Sequence, residues 1–531
     1  MKEEYSMRLF SIILLVALAA TNVNAKDNTT SYLNLKADFK AGSHSVGFKL
    51  VHEYDYGRSY ATIYDQDGKR STKPNPRPMQ IAIWYPTESK GHLMPYKEYI
   101  YADATKDSFH EVSNDEKQQL NKNFIQQSLF ANLGTPDREY LANILELPTT
   151  VIANAKIKDG SFPLILFVNR EYRGIQTNTV LMEYLASHGY VVATTASKDR
   201  TKSYQTSMSD ELLIQANMDD IEFVKNYMQD FKSIDKNKTG VIGYFVGSIA
   251  APILAFNDQN IGAVVNFQSL LNTDFFGQKN LAKFKYFNPQ EYQTPTLDLW
   301  QPMNPDQVDE PTFYNQIKYA DAYNFQVNQQ FESLAFSSHF NMAWVKSTDK
   351  RSDQEKASFD RTYSALSETT LKFFDAYLKN NKHAKNSITK KQKENLFTTT
   401  HRLALAAPPT EQQFVNMVKK SGIQKASALL TKHKQHNPDL QVVSNAQVLN
   451  GLGYGILNSD TIDEAIAIFK FNVSLFPENA AIQDSLAEGY KTKGNTKLAI
   501  VEYKKVFDKN PRQAVKDNAI NMLKEMGVTD L

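Results

Sequence analysis

The chain has 531 residues, with 60 Lys and Arg against 58 Asp and Glu, a net charge of +2, 41% hydrophobic residues and no cysteine. That apolar content, with 31 Phe and 27 Tyr, supports a large core and excludes global disorder. The near-neutral charge gives no electrostatic case for nucleic acid or an acidic membrane surface. The missing cysteine excludes disulfides, a thiolate nucleophile, cysteine-rich zinc sites and a lipidated cysteine anchor.

In chain order, Arg8 precedes the apolar run LFSIILLVALAA (9–20), and Val23-Asn24-Ala25 follows with small residues. This is the order of a secretory signal peptide with cleavage after Ala25, and the run is too short to cross a ~30 Å hydrocarbon core. No later stretch approaches the length of a transmembrane segment. Export without disulfides fits a bacterial periplasm or extracellular space.

Residues 30–102 read as strands and turns, with MQIAIWYP (79–86) a strong strand. Asp55 and Arg58 in HEYDYGRSY are expected to pair and pin these strands to the core. A polar helical insert follows at about 103–160, carrying Leu120, Phe124, Ile125, Leu129 and Phe130 at helical spacing.

Strands and helices then alternate to residue 380. FPLILFV (162–168) is an unbroken apolar run of the kind buried on both faces. It is followed by a helix at 179–187, the strand YVVATT (190–195), a helix at about 209–230, and the strand GVIGYF (240–245) leading into a helix of small residues. IGAVVNF (261–267), TPTLDLW (294–300) and FESLAFSS (331–338) are the remaining expected strands, and 355–379 is an amphipathic helix. This alternation predicts an α/β fold with a mostly parallel sheet flanked by helices.

Residues 381–410 turn basic and polar, and read as a solvated linker. Beyond them, Ala465, Phe469 and Pro477 recur 34 residues later as Ala499, Tyr503 and Pro511, and Leu452 recurs as Leu486. An earlier unit with Ala426, Leu430 and Pro438 keeps the internal spacing but lies 39 residues upstream, and 513–526 reads as a capping helix. Small residues let antiparallel helices approach and aromatics fill the groove between them. The pattern over 411–531 resembles tetratricopeptide repeats. That resemblance implies a concave groove for a protein or peptide partner, the alternative being a brace on the chain's own larger domain.

The segment Gly240–Ser248 carries the chemistry. A buried strand entering Gly243-Tyr244-Phe245-Val246-Gly247 and then a small-residue helix has the form of a nucleophile elbow. With RPMQIAIWYPTE (77–88), FPLILFV…LASHGYVVATT, SSHFNMA (337–343) and LKFFDAYLK, it makes residues 45–380 resemble the α/β-hydrolases, most closely the group of dienelactone hydrolases and platelet-activating-factor acetylhydrolases. The domain itself is expected over 30–380.

The resemblance implies a serine nucleophile where this chain has Phe245, whose ring can be neither deprotonated nor acylated. It implies the triad acid at Asn266, an amide with no charge to stabilise an imidazolium. The oxyanion-side His-Gly maps to Asn169 and Arg170, whose bulk replaces a glycine. The triad histidine is retained as His339, with a structural and a functional role both open. Rescue candidates are Ser248 as a relocated nucleophile and Asp298 or Asp306 as a replacement acid. Each has a plainer reading as a packing or hydrogen-bonded residue.

The expected function is that of a non-catalytic ligand-binding or scaffold protein. Its cleft, lined by Tyr244, Phe245, Asn169 and Trp300, would take an apolar ligand or be filled, and its repeats would engage a partner. The alternative is a weak or atypical esterase with a relocated nucleophile. An occupied elbow predicts either a relaxed backbone at Phe245 or a ring wedged into the cleft. No His-Glu-x-x-His, Asp-rich calcium loop or phosphate-cradling glycine loop occurs, so no metal or cofactor is expected.

Overall fold

The computed structural model describes residues 40–60, 69, 75–127, 137–170, 173–199, 211–272, 281–302, 312–328, 334–345, 351–390, 395–435, 437–438 and 440–530. The expected signal segment lies outside these residues. The chain divides into two compact units, the first ending at Leu405 and the second beginning at Ala406.

The first unit opens with the antiparallel pair β1 (Ser45–Ser59) and β2 (Pro76–Thr87). The insert contributes α1 (Lys97–Ala104), α2 (Asn114–Gln127), α3 (Arg138–Glu146) and the short β3 (Val151–Ala153). Then come β4 (Phe162–Val168), α4 (Thr179–Ser187), β5 (Val191–Thr195), α5 (Glu211–Met228), β6 (Ile234–Tyr244), α6 (Gly247–Asn257), β7 (Ile261–Phe267), β8 (Thr296–Trp300), β9 (Ala322–Val327), α7 (Asp353–Leu378) and β10 (Phe397–Arg402). Among the described residues these strands form one sheet in the order β10-β9-β8-β7-β6-β4-β5-β2-β1-β3.

Neighbours from β5 through β4, β6, β7 and β8 to β9 are parallel, and β2 joins β5 antiparallel. This is the mostly parallel sheet expected from the alternation of strands and helices. The continuous apolar runs of β4 and β5 occupy its centre, buried throughout except for Phe162 at the start of β4. Gly240 lets α7 close on β6, because an added Cβ would stand 2.6 Å from Cε1 of Phe374.

The expected Asp55–Arg58 pair is present at 2.5 Å, and Arg58 also reaches Asp220 of α5 at 2.8 Å. The buried Arg77 of β2 holds the same Asp220 through two bonds of 2.6 Å. One carboxylate thus clamps both N-terminal strands to α5. Bidentate geometry is what makes burial of these charges tolerable.

Two expectations are corrected. FESLAFSS is not a strand over its described part, where Leu334–Phe336 forms a 3-10 turn and Ser338–Phe340 a helical turn. The Ser337 hydroxyl accepts from the Phe340 N–H at 3.3 Å and donates to the Thr177 carbonyl at 2.7 Å, and such bonds compete with strand pairing. The strand lies earlier, as β9. The segment 381–410 is not simply a linker either. It carries a helix, Lys382–Ser387, and β10, which pairs antiparallel with β9 from Phe397↔Val327 to Arg402↔Ala322. Asp321 ties this stretch down by accepting from Lys385, Tyr377 and the Ala404 N–H.

The second unit is all helical: α8 (Glu411–Ser421), α9 (Ile423–Lys434), α10 (Ala446–Gly455), α11 (Ile462–Leu475), α12 (Ala480–Thr492), α13 (Thr496–Phe507) and α14 (Gln513–Glu525). Thr410 and Gln413 form a capping box at the start of α8. Ala465, Ala499, Phe469 and Tyr503, the residues related by 34, are all fully buried. Gly453 permits close contact of α10 with α11, since a Cβ there would stand 2.4 Å from Cε1 of Phe469. No described helix is long and apolar enough to cross a membrane.

Candidate functional site

At the end of β6 the chain turns sharply into α6. An added Cβ at Gly243 would lie 2.3 Å from the Gly247 carbonyl oxygen, and one at Gly247 2.3 Å from that of Val168. The turn therefore admits only glycine at both places. Between them Phe245 has φ +55°, in the left-handed region, which costs a residue with a Cβ roughly 1–2 kcal/mol. Its N–H donates to the Phe267 carbonyl at 3.0 Å, and its carbonyl accepts from the Ser248 N–H at 2.9 Å. The backbone has not relaxed. The tight strand-to-helix turn is formed with a phenylalanine at its tip.

The ring of Phe245 is 7% exposed. The Arg170 guanidinium carbon lies 4.3 Å from its centroid and 5.8 Å from those of Tyr244 and Phe340. A cation over an aromatic face is favourable, more so when partly desolvated. Asn169, also buried, donates its amide N–H to the Gly174 carbonyl at 3.1 Å.

Ser248 is fully buried. Its hydroxyl donates to the Phe245 carbonyl at 2.5 Å and accepts from the Leu270 N–H at 3.0 Å. Both bonds serve the elbow, and neither leads to His339.

Asn266 and Asp298 are neighbours on adjacent strands. Asn266 of β7 is in register with Gly243 of β6 on one side and Asp298 of β8 on the other, and Asp298 is in register with Asn324 of β9. The Asn266 amide donates to Asp298 Oδ1 at 2.6 Å, and both residues are at most 1% exposed. Burial pushes the Asp298 carboxyl up to about 7, against the opposing bonds from Asn266 and Ser269. Trp300 is 3% exposed and donates its indole N–H to Asn324 rather than lining an open cleft. Asp306 lies outside the described residues.

His339 accepts from or donates to the Tyr96 hydroxyl through Nδ1 at 2.8 Å. Its ring packs against Phe124 of α2 and against Phe340, both at 5.8 Å. Burial, with the charge of Arg173 nearby, pushes its pKa down to about 3, so the imidazole is neutral around pH 7. Among the described contacts its partner is a phenol and not a carboxylate. The insert thus reaches the site through Phe124. Tyr96, Arg173 and Phe340 were not legible as site residues, because their relation to His339 and the elbow is set by the fold and not by local spacing.

Among the described residues no group of three or more His, Asp or Glu side chains converges as a metal site would require. In the second unit a groove of about 770 Å³ runs beside α8, α10 and α11, with Val418, Val448, Leu452 and Ile468 in its wall and Lys419 and Glu464 at its edge.

No protein-family model matches the chain, and no curated protein matches it. Among solved structures, the chain is similar to a ferulic acid esterase from Streptomyces cinnamoneus, with 17% identity and a TM-score of 0.47 over 68% of this chain and 98% of that one. That likeness assigns no role to any residue here.

Proposed function

We propose that this chain is an exported, non-catalytic protein of the α/β-hydrolase fold that binds a ligand at its former cleft and a protein or peptide through tetratricopeptide-like helices. The observation that carries the reading is Phe245 at φ +55° under the Arg170 guanidinium. The elbow geometry is kept at a cost in backbone strain, while the side chain placed on it cannot form an acyl intermediate. Ser248 is committed to two bonds within the elbow, and among the described residues the hydrogen-bond partner of a neutral His339 is a tyrosine and not a carboxylate that would stabilise an imidazolium. The helical repeat and its apolar groove support the partner-binding half of the reading.

A fluorophosphonate probe on the purified full chain tests it. The expected result is no serine labelling. Stoichiometric labelling abolished by Ser248→Ala would instead establish a relocated serine esterase.

A further inference from the structure

Resting on the partner-binding reading of the helical unit, we infer that one face of α10, α12 and α14 takes a basic peptide, whose Lys or Arg side chain is seated by Asp484 and Glu488. Three sets of residues related by 34 run along this face: Gln447, Ala481 and Val515; Asn450, Asp484 and Asn518; and Tyr454, Glu488 and Met522. Residues three or four apart on a helix lie one above the next, so the sets form successive rows. The helices meet along them. The Tyr454 hydroxyl donates to Glu488 at 2.6 Å, and the Asn518 amide donates to the two Asp484 oxygens at 3.1 and 2.9 Å. The first row lies in the wall of a cavity of about 740 Å³. At about 100° per residue, Asn450 and Tyr454 point to nearly the opposite side of α10 from Val448 and Leu452 of the apolar groove.

The unmet bonding capacity on this face belongs to acceptors. Asp484 and Glu488 stand four apart on α12, where like charges repel. Both accept from neutral donors, and among the described residues neither is in an ion pair. Lys491 of the same helix is spent on Glu525 at 2.6 Å. Burial, with the Glu488 charge nearby, pushes the Asp484 carboxyl up to about 6 against the bonds from Asn518. The Tyr503 hydroxyl of α13 is buried without a hydrogen-bond partner, on a residue with 0% exposure. Burial and then the charges of Asp484 and Glu488 hold its pKa well above the usual phenol value, which places it beside the pair. Asn450 Oδ1, in the row of Asp484, is likewise buried and unpartnered. A ligand matching these groups brings donors and positive charge, and an ammonium or guanidinium carries both and no acceptor. Among the described residues no third His, Asp or Glu joins the two carboxylates, too few for a divalent cation that takes six or more oxygens. The carboxylates are half-buried and Tyr454 is 40% exposed, so the face is open to solvent.

Calorimetric titration of the full chain with hexalysine, and with hexaglutamate as its opposite, tests the site. Hexalysine should bind at least about tenfold more tightly and weaken at high salt. Glu488→Gln keeps an acceptor for the Tyr454 hydroxyl and removes one of two like charges, so the helical unit should unfold no earlier than in the parent. It should still lower hexalysine affinity about tenfold, as should Asp484→Asn. Tyr503→Phe should weaken hexalysine about threefold without lowering the unfolding temperature. Asp460→Asn, which removes an exposed charge from the turn before α11, should leave binding unchanged. No hexalysine binding, affinity unchanged in Glu488→Gln, or an equal loss in Asp460→Asn would each overturn the inference. Equal affinity for the two peptides would also overturn it while leaving the broader partner-binding reading in place. Serine labelling by fluorophosphonate is read separately, so failure of the non-catalytic reading is distinguishable from failure of the cation site.

Discussion

Asn266 donates a 2.6 Å hydrogen bond to Asp298 on the next strand, in the row of side chains that begins at the elbow glycine Gly243. An amide beside a buried carboxyl is a stable arrangement when that carboxyl keeps its proton. A carboxyl in that state is suited to packing rather than to stabilising a nearby cation.

This pair gives stability an unusual pH profile. Asp298 binds its proton more tightly when folded, about 7 against roughly 3.9 unfolded, so its contribution is full below pH ~4 and lost as pH rises through 7. His339 is shifted the other way, about 3 against roughly 6.5 unfolded, so its contribution is present above pH ~6.5 and lost as pH falls toward 3. Between these limits the two slopes oppose each other. Unfolding free energies from urea titration of Asp298→Asn should therefore rise relative to the parent as pH increases, by at most on the order of 4 kcal/mol near pH 8. A difference that does not vary with pH would refute the assignment of a protonated Asp298.

Ser248→Ala separates a structural hydroxyl from a nucleophile. Removing it takes away the acceptor used by the Leu270 N–H and one donor to the Phe245 carbonyl, both buried. The expected cost is about 1–3 kcal/mol, read as a lower denaturant midpoint. Fluorophosphonate reactivity should be as low as in the parent chain.

Placing a serine at the turn and a second carboxyl on β7 should not create turnover. In a Phe245→Ser, Asn266→Asp double variant the new carboxyl would lie directly against Asp298, and two like charges at that spacing cannot both ionise. His339 would still be held by Tyr96. The expected outcome is no hydrolysis of a nitrophenyl ester above background, with reduced stability. Measurable burst kinetics would overturn this expectation.

Two glycines on α10 should respond oppositely. A Cβ at Gly451 meets nothing within 4 Å, whereas one at Gly453 would strike the Phe469 ring at 2.4 Å. Gly451→Ala should therefore stabilise the helical unit by about 0.5–1 kcal/mol, and Gly453→Ala should destabilise it by roughly 1–3 kcal/mol. Thermal unfolding of the two variants side by side decides the matter.

What was legible in the sequence was what repeats or runs unbroken. The aliphatic runs of β4, β5 and β7, the paired glycines of the elbow and the 34-residue recurrence each imprint a pattern within a short window. β9 left no such mark. Its Asn324 and Gln326 interrupt the apolar run, and Asn324 accepts from Trp300 on the neighbouring strand. The stack of Arg170 on Phe245 and the bond from Tyr96 to His339 join residues far apart in the chain. Periodicity cannot report such pairs, because nothing local depends on them.

β10 sets where this protein can be cut. Because it lies antiparallel along β9, it shields a row of backbone donors and acceptors at that border of the sheet. A fragment ending near residue 380 would strip this cover and leave β9, with its buried Tyr323, Phe325 and Val327, open to pairing with other chains. Expressed alone, such a fragment would be prone to aggregate, while one retaining residues through Leu405 keeps β9 paired with the polar edge strand β10.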